Sequence, residues 1–395
     1  MHIGINCYEY PPCNQGGVGT FTKDLAESLV QKGIQVTVFG IYYPRVLKLN
    51  TVVDEEINGV RIIRYPGREW KGRLRRLSAI NMWIERIRLK RFVERLHRER
   101  PFDLVESPEA TGWFPFGLRS ISLISRFHGG QAFNRSISSE PTSRMFKILE
   151  RKQIEKSEHN VAVSRFVGRT TLSVLNISRP VDIIYNGIDL SGFSTVVESG
   201  PEQEGSRDLI LFYGSIIPKK GPEELLRASF RFLKGNDFIL GFAGKIGAKL
   251  GDGSSYVDFL QKMIPSELTD RIKFYGPLDR ERELFPLIQK SVICCFPSRV
   301  EAFGLAPVEA MALGKPVVFT NNAAGPEVVE DGVSGLLCKP RDVEDLADKV
   351  SSLIDDPLMR ESMGKAAKIR VEGMFDLEKI VNDNISYYKK CLGEI

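Results

Sequence analysis

The stretch Val292-Ile293-Cys294-Cys295-Phe296-Pro297-Ser298-Arg299-Val300-Glu301-Ala302-Phe303-Gly304-Leu305-Ala306-Pro307-Val308-Glu309 reads as a strand, a loop and the start of a helix in succession. Its first five residues form an unbroken apolar run, which suits a buried strand, and Pro297-Ser298 stops it. A helical pattern begins at Pro307 and runs on through Val308, Met311 and Leu313. Glu301 therefore falls in the loop and Glu309 in the first helical turns. Both lie near the C-terminal edge of a sheet, where open α/β folds bind their ligands.

The first N–H groups of a helix have no partner within it, so the amides of Phe303, Gly304 and Leu305 can meet an anion or a hydroxyl. Carboxylates accept hydrogen bonds from ligand hydroxyls. Amides between two acceptors suit a polyhydroxylated, phosphorylated ligand such as a nucleotide sugar. The same two glutamates also read as a loop charge and a helix N-terminal charge favoured by the macrodipole.

With 395 residues the chain is too long for one ordinary core, and two domains are expected. Elements alternate as strand and helix twice over. In the first half, His2 to Cys7, Gln35 to Gly40, Ile57 to Tyr65, Asp103 to Glu106, Leu123 to Phe127, Asn160 to Val163 and Val181 to Tyr185 read as strands. Thr20 to Lys32, Leu74 to Arg100, Glu140 to Ser157 and Arg165 to Leu175 read as helices. The second half restarts with strands at Leu209 to Tyr213, Phe238 to Ala243, Ile272 to Tyr275 and Pro316 to Thr320. Helices fall at Pro222 to Phe232, Tyr256 to Ile264, Leu284 to Lys290, Val343 to Ile354 and Leu377 to Leu392. Two doubly wound α/β units in series imply a cleft between them, and Gly192 to Arg207 is the expected linker region.

No run of about 18 apolar residues occurs, and Met1-His2-Ile3-Gly4-Ile5 opens directly as a strand, so a cytoplasmic protein is expected. The six cysteines lack C-x-x-C spacing and suit reduced, buried thiols, and the four histidines show no metal-ligand spacing. No essential metal and no cofactor are expected. Net charge is +5, but residues 61 to 100 carry fourteen Lys/Arg against four Asp/Glu, so the remainder is acidic. Along the basic helix, Leu77, Ile80, Ile84 and Ile87 form one stripe, with Arg73, Arg76, Arg86, Lys90 and Arg91 largely elsewhere. That face is either solvated or drawn to anionic lipid or a lipid-phosphate acceptor, a peripheral membrane contact through residues 73–100. Nucleic acid is not expected, because stacking aromatics are not interleaved with the cations.

Gly16-Gly17-Val18-Gly19 follows the first strand and precedes a helix, but the third glycine of a dinucleotide fingerprint is missing, since Phe21 and Thr22 stand in its place. A dehydrogenase is disfavoured. Gly214-Ser215-Ile216-Ile217-Pro218-Lys219-Lys220-Gly221 joins a strand to a helix that opens on Pro222, where a lysine can neutralise a phosphate. His128 ends an apolar strand before Gly129-Gly130. Asn186-Gly187-Ile188-Asp189 has the look of a tight turn, and Pro326-Glu327 after Gly325 that of a helix start.

The run from Phe296 to Leu305 and its continuation Glu309-Ala310-Met311-Ala312-Leu313-Gly314-Lys315-Pro316-Val317-Val318 resemble the signature of the retaining glycosyltransferases of family 4 (glycosyl transferases group 1), which have the GT-B fold. The likeness extends to Gly16 to Gly19, His128-Gly129, Asn186 to Asp189, Gly214 to Gly221, Gly325-Pro326-Glu327 and Asp331-Gly332, nearly the whole chain. It implies two Rossmann-like domains facing across a cleft: an acceptor-binding domain at 1–190, a donor-binding domain at 191–375, and a helix at 376–395 packing back on the first.

The resemblance also assigns roles. Glu309 would bind ribose hydroxyls, Glu301 and His128 the transferred sugar, and Lys220 the distal phosphate as the sugar bond breaks. Gly17 and Gly19 would reach toward the donor phosphates, with Gly214, Ser215, Phe303, Gly304 and Leu305 completing the donor site. Relatives commonly carry arginine where this chain has Ser215, so the missing charge is expected from Lys219 or Lys245. The activity implied is transfer of a hexose-type sugar from a UDP- or GDP-sugar to an acceptor hydroxyl with retention, in polysaccharide, glycolipid or other glycoconjugate synthesis. The leaving phosphate would depart from the face that the acceptor attacks. A nucleotide-sugar epimerase of the same architecture and a non-catalytic sugar-nucleotide binder are the alternatives.

Overall fold

The computed structural model describes residues 1–13, 16–44, 47, 49, 51–68, 78–137, 143–193 and 207–394. The chain divides into two compact units, Met1–Gly187 with Leu377–Ile395, and Ile188–Asp376. Within the expected linker, residues 194–206 lie outside the described residues, and the chain changes unit earlier, at Gly187 and Ile188.

The first unit holds β1 (His2–Asn6), α1 (Gly17–Gln31), β2 (Gln35–Tyr42), β3 (Val53–Ile57), β4 (Val60–Pro66), α2 (Ser78–Glu99), β5 (Leu104–Pro108), β6 (Ser122–Phe127), α3 (Gln131–Ile137), α4 (Arg144–Lys156), β7 (His159–Ala162), α5 (Arg165–Leu175) and β8 (Asp182–Ile183). Its sheet has the order β3-β4-β2-β1-β5-β6-β7-β8, parallel except for the β3–β4 pair. Strand order reverses between β1 and β5. The loops after these two strands therefore flank the switch point, where a doubly wound sheet leaves room for a ligand.

Alternate residues of these strands fill two cores. Val36, Val38, Ile62, Leu104 and Ile124 face one side with Phe21, Leu25 and Leu29 of α1, while Phe39, Ile41, Ile63, Val105 and Leu123 face the other with Leu89, Phe92, Val93 and Leu96 of α2.

The second unit holds β9 (Asp208–Tyr213), α6 (Pro222–Phe232), β10 (Phe238–Ala243), α7 (Tyr256–Lys262), β11 (Ile272–Gly276), α8 (Phe285–Lys290), β12 (Ser291–Phe296), α9 (Leu305–Ala312), β13 (Val317–Thr320), α10 (Gly325–Val328), β14 (Leu336–Cys338), α11 (Val343–Asp355) and α12 (Pro357–Met374). Its sheet is parallel throughout in the order β11-β10-β9-β12-β13-β14, with the reversal between β9 and β12. The loops after β9 and β12 are the two glycine-bearing segments singled out in the sequence.

The last helix, α13 (Leu377–Leu392), belongs to the first unit and adds Ile380, Val381, Tyr387 and Tyr388 to the core on the α1 side. A buried polar network fixes it there. Arg126 of β6 donates to both oxygens of Glu106 at 2.6 and 2.8 Å and to Asn384 Oδ1 at 2.5 Å, and the Tyr388 hydroxyl donates to Glu106 at 3.0 Å. The turn at Asn186 to Asp189 is where the chain leaves this unit. The Ile188 N–H donates to Phe375 O at 2.9 Å, and a side chain at Gly187 would press on the Leu377 backbone.

Helix α2 differs from its sequence reading. Residues 69–77, including Arg73, Arg76 and Leu77, lie outside the described residues, and the apolar stripe does not mark the buried face. Ile80 and Ile84 are 52% and 37% exposed, whereas Glu85 and Arg86 are buried. Arg86 donates to the carbonyls of Met82, Thr111 and Gly112 and lies 4.7 Å from the Trp113 ring, so its charge serves loop closure. All six cysteines are free thiols, five of them buried.

Candidate active site

In the second unit three neighbouring strands each run out on a glycine with positive φ: Gly214 after β9, Gly244 after β10 and Gly276 ending β11, at 127°, 137° and 71°. The chain turns sharply there. The loops lie on one another, with Gly214 N–H donating to Ala243 O at 3.0 Å, Ile216 N–H to Lys245 O at 3.1 Å and Gly244 N–H to Gly276 O at 2.7 Å. Only hydrogen fits at Gly244, where a Cβ would collide with the Gly214 carbonyl.

The β9 loop then forms a tight turn over Pro218–Lys220 and enters α6 through Gly221, at φ 75°. A side chain at Gly221 would collide with the Pro297 carbonyl, so this glycine lets the β9 loop lie against the β12 loop. Two further links tie them: Arg299 N–H donates to Lys219 O at 2.9 Å, and Arg299 Nε donates to Glu224 of α6 at 2.6 Å.

These contacts bring Lys220 and Glu301 together as a direct ion pair, with Ser298 Oγ donating to the same Glu301 oxygen at 3.4 Å. Burial acts to raise the Glu301 carboxyl, but Lys220, helped by Lys219 and Ser298, outweighs it and holds the group below its ordinary range. Lys219 stands close enough to feel both partners, while burial lowers its own ammonium. Lys245 is exposed.

Glu309 sits buried in α9, and Arg280 Nη2 donates to its Oε1 at 2.6 Å. The Arg280 guanidinium lies 5.2 Å from the Phe285 ring. Helix α9 begins at Leu305, two residues before the expected Pro307, because Gly304 takes up φ 95° and turns the chain into the helix early. The amides of Gly304 and Leu305 thus lie at its N-terminus, where first-turn N–H groups have no partner within the helix. The Phe303 side chain is buried edge-on against Phe375, 5.4 Å between centroids, and anchors the loop. Gly325, Pro326 and Glu327 open the short helix α10.

The first unit carries the remaining expected residues. Gly17 is the first residue of α1, and Gly19 packs so closely that a Cβ there would collide with the Glu9 carbonyl. His128 directly follows β6 and meets Phe21 of α1 edge-on at 5.2 Å. Burial, with the Arg126 charge behind it, lowers its pKa to about 3, so it is a neutral imidazole.

Sequence reasoning missed three groups. Arg280 stands in the charged run Asp279-Arg280-Glu281-Arg282-Glu283, whose only distinguishing signal is that it follows a strand reaching the same sheet edge. Glu109 and Glu150, both fully buried, bind the segment that begins at His128. Glu150 was detectable as an acid on the apolar side of α4, beside Leu149 and Ile154.

Residues 15–191 match the family model described as Glycosyltransferase Family 4, and residues 198–370 match the one described as Glycosyl transferases group 1. The chain belongs to glycosyltransferase family 4. Among curated glycosyltransferase relatives, N-acetyl-alpha-D-glucosaminyl L-malate synthase of Bacillus anthracis is 26% identical, over 99% of this chain and 97% of that protein. D-inositol 3-phosphate glycosyltransferase of Mycolicibacterium smegmatis is 25% identical over 86% and 79%. Among solved structures, a sucrose-phosphate synthase from Thermosynechococcus elongatus superposes with a TM-score of 0.82 at 20% identity and covers 100% of both chains. An Anabaena protein solved with UDP and glucose gives 0.75 at 18%, over 99% and 100%. This family 4 glycosyltransferase has the GT-B fold.

Proposed function

We propose that this glycosyltransferase moves a hexose-type sugar from a UDP- or GDP-linked donor to an acceptor hydroxyl with retention of anomeric configuration, in polysaccharide, glycolipid or other glycoconjugate synthesis. The observation that carries the reading is the pair of charge couples at one sheet edge of the second unit, Lys220–Glu301 and Arg280–Glu309. Glu309 accepts from the ribose hydroxyls and Glu301 from the transferred sugar. Lys220 and the amides of Gly304 and Leu305 hold sugar and diphosphate, beside Gly214 and Ser215. Negative charge grows on the leaving diphosphate as the anomeric bond breaks, and a fixed cation stabilises that charge more than it stabilises the ground state.

No side chain need form a bond to sugar. His128, neutral and held by its neighbours, hydrogen-bonds the transferred sugar, and the leaving phosphate oxygen takes the acceptor proton. Gly17 and Gly19 let backbone approach the donor phosphates. The cation missing at Ser215 comes from Lys219, which already feels the Lys220–Glu301 pair, and not from exposed Lys245. No essential metal and no cofactor are called for. The first unit serves the acceptor and the second the donor.

Thermal shift against a panel of nucleotide sugars identifies the donor, and nucleoside diphosphate release with candidate acceptors then tests transfer. Acceptor-dependent release of product with an unchanged anomeric configuration is expected. Inversion overturns retention, and donor interconversion without release would mark an epimerase instead.

A cytoplasmic enzyme in peripheral contact with anionic membrane through 73–100 completes the reading, supported by exposed Ile80 and Ile84 beside a cation-rich sequence. Among the described residues no helix is long and apolar enough to cross a membrane.

A further inference from the structure

Five successive amides, residues 128 to 132, are all bound by two buried carboxyl groups. Glu109, just after β5, accepts from the N–H groups of His128 at 2.9 Å, Gly129 at 2.9 Å and Gly130 at 2.6 Å. Glu150, on α4, accepts from Gln131 at 2.8 Å and Ala132 at 3.0 Å, and from Thr111 at 3.0 Å in the loop after Glu109. The Asn134 side-chain amide donates to the carbonyls of Gly129 and Gly130.

Burying two acids side by side is costly, and a turn needs no such device to close. What the acids hold is the segment that carries His128. We propose that Glu109 and Glu150 are a pair of positioning residues which, by gripping the amides of 128–132 from below, set where the His128 ring stands. Their effect on sugar transfer rests on the reading of His128 given above; their grip on the ring does not.

The geometry explains why both must be carboxyl groups. Glu109 takes three N–H donors on two oxygens, and Glu150 takes three more, a load that an amide side chain cannot carry because its nitrogen accepts nothing, whereas both oxygens of a carboxyl group keep acceptor capacity in either protonation state. Gly130 belongs to the same design, since a Cβ there would stand 2.8 Å from Glu150 Oε1.

The test uses the full chain labelled with [15N]histidine, with His128→Gln assigning its ring signals among the four histidines. In the wild type the His128 ring is expected to stay neutral from about pH 8 to about pH 5, whereas a released histidine titrates near 6.5. In Glu109→Gln and in Glu150→Gln its signals should shift or broaden and its titration move toward 6.5. Unchanged His128 signals and titration in both variants would overturn the proposal. So would unfolding of both, since the acids would then be holding the unit together and not placing one side chain. His128→Ala separates the two ideas: full transfer activity in that variant, together with a His128 ring that responds to Glu109→Gln in the chain that keeps the histidine, would leave the positioning pair standing and remove His128 from sugar contact.

Discussion

Glu301 is a half-buried acid and Glu109 a fully buried one, and their neighbours drive them in opposite directions. Glu301 has a lysine on it and stays ionised; Glu109 has only amides and a second acid, and burial followed by Glu150 pushes its pKa to about 8 from an ordinary 4.5. Because the folded value lies above the unfolded one, the contribution of Glu109 to stability is fully present below 4.5 and is lost as pH rises through about 8. Urea unfolding of wild type and Glu109→Gln between about pH 5 and about pH 9 should show the wild type losing more stability across that window than the variant. A parallel decline in both would refute it. His128 moves the other way, its value of about 3 lying below the ordinary 6.5, so the pH–rate profile should show no limb that His128→Gln removes between about pH 5 and about pH 8.

Helix α13 makes the corresponding case for an element. It is attached by hydrogen bonds of Asn384 and Tyr388 to the Arg126–Glu106 ion pair of β6 and β5, which is almost wholly out of water, and removing one partner of that pair strands the other. Arg126→Ala should cost about 3–5 kcal/mol, and Tyr388→Phe, which removes one hydrogen bond to a charged acceptor, about 1.5–3 kcal/mol, both measurable by denaturant melts. Losses under about 0.5 kcal/mol would mean that apolar contacts alone hold the helix. α13 was readable from sequence because Leu377, Ile380, Val381, Tyr387 and Tyr388 mark one face, and α5 and α6 were read to their boundaries for the same reason.

Helices α2 and α12 were harder. In α12 the buried residues are Met363, Gly364, Ala367 and Val371, two of them small, while Leu358 and Ile369 are 78% and 68% exposed, so its apolar letters do not mark its packed face and it went unread. In α2 the same failure hid a buried arginine. Strand β14, with three residues, is too short to show a period. At the site, the glycine loops and Glu301, Lys220 and Glu309 were legible because strand ends and turn residues announce them, whereas Arg280, Glu109 and Glu150 act through spatial neighbours far away in sequence.

In the molecule as a whole, charge is unevenly spread, with fourteen Lys/Arg against four Asp/Glu in residues 61 to 100. Co-sedimentation with anionic vesicles should therefore be salt-sensitive and weaken on Ile80→Asp, while equal pelleting with neutral vesicles would reduce the basic segment to a solvated face. Catalysis is asked of the second unit's charge couples. Isothermal titration of the donor found by the panel, and of its free nucleoside diphosphate, into wild type, Glu301→Ala and Glu309→Ala addresses that directly. Glu309→Ala should weaken both ligands about tenfold or more, and Glu301→Ala should weaken the sugar nucleotide by a similar factor while leaving the free diphosphate within about twofold. Wild-type affinity for both ligands in both variants would contradict the account.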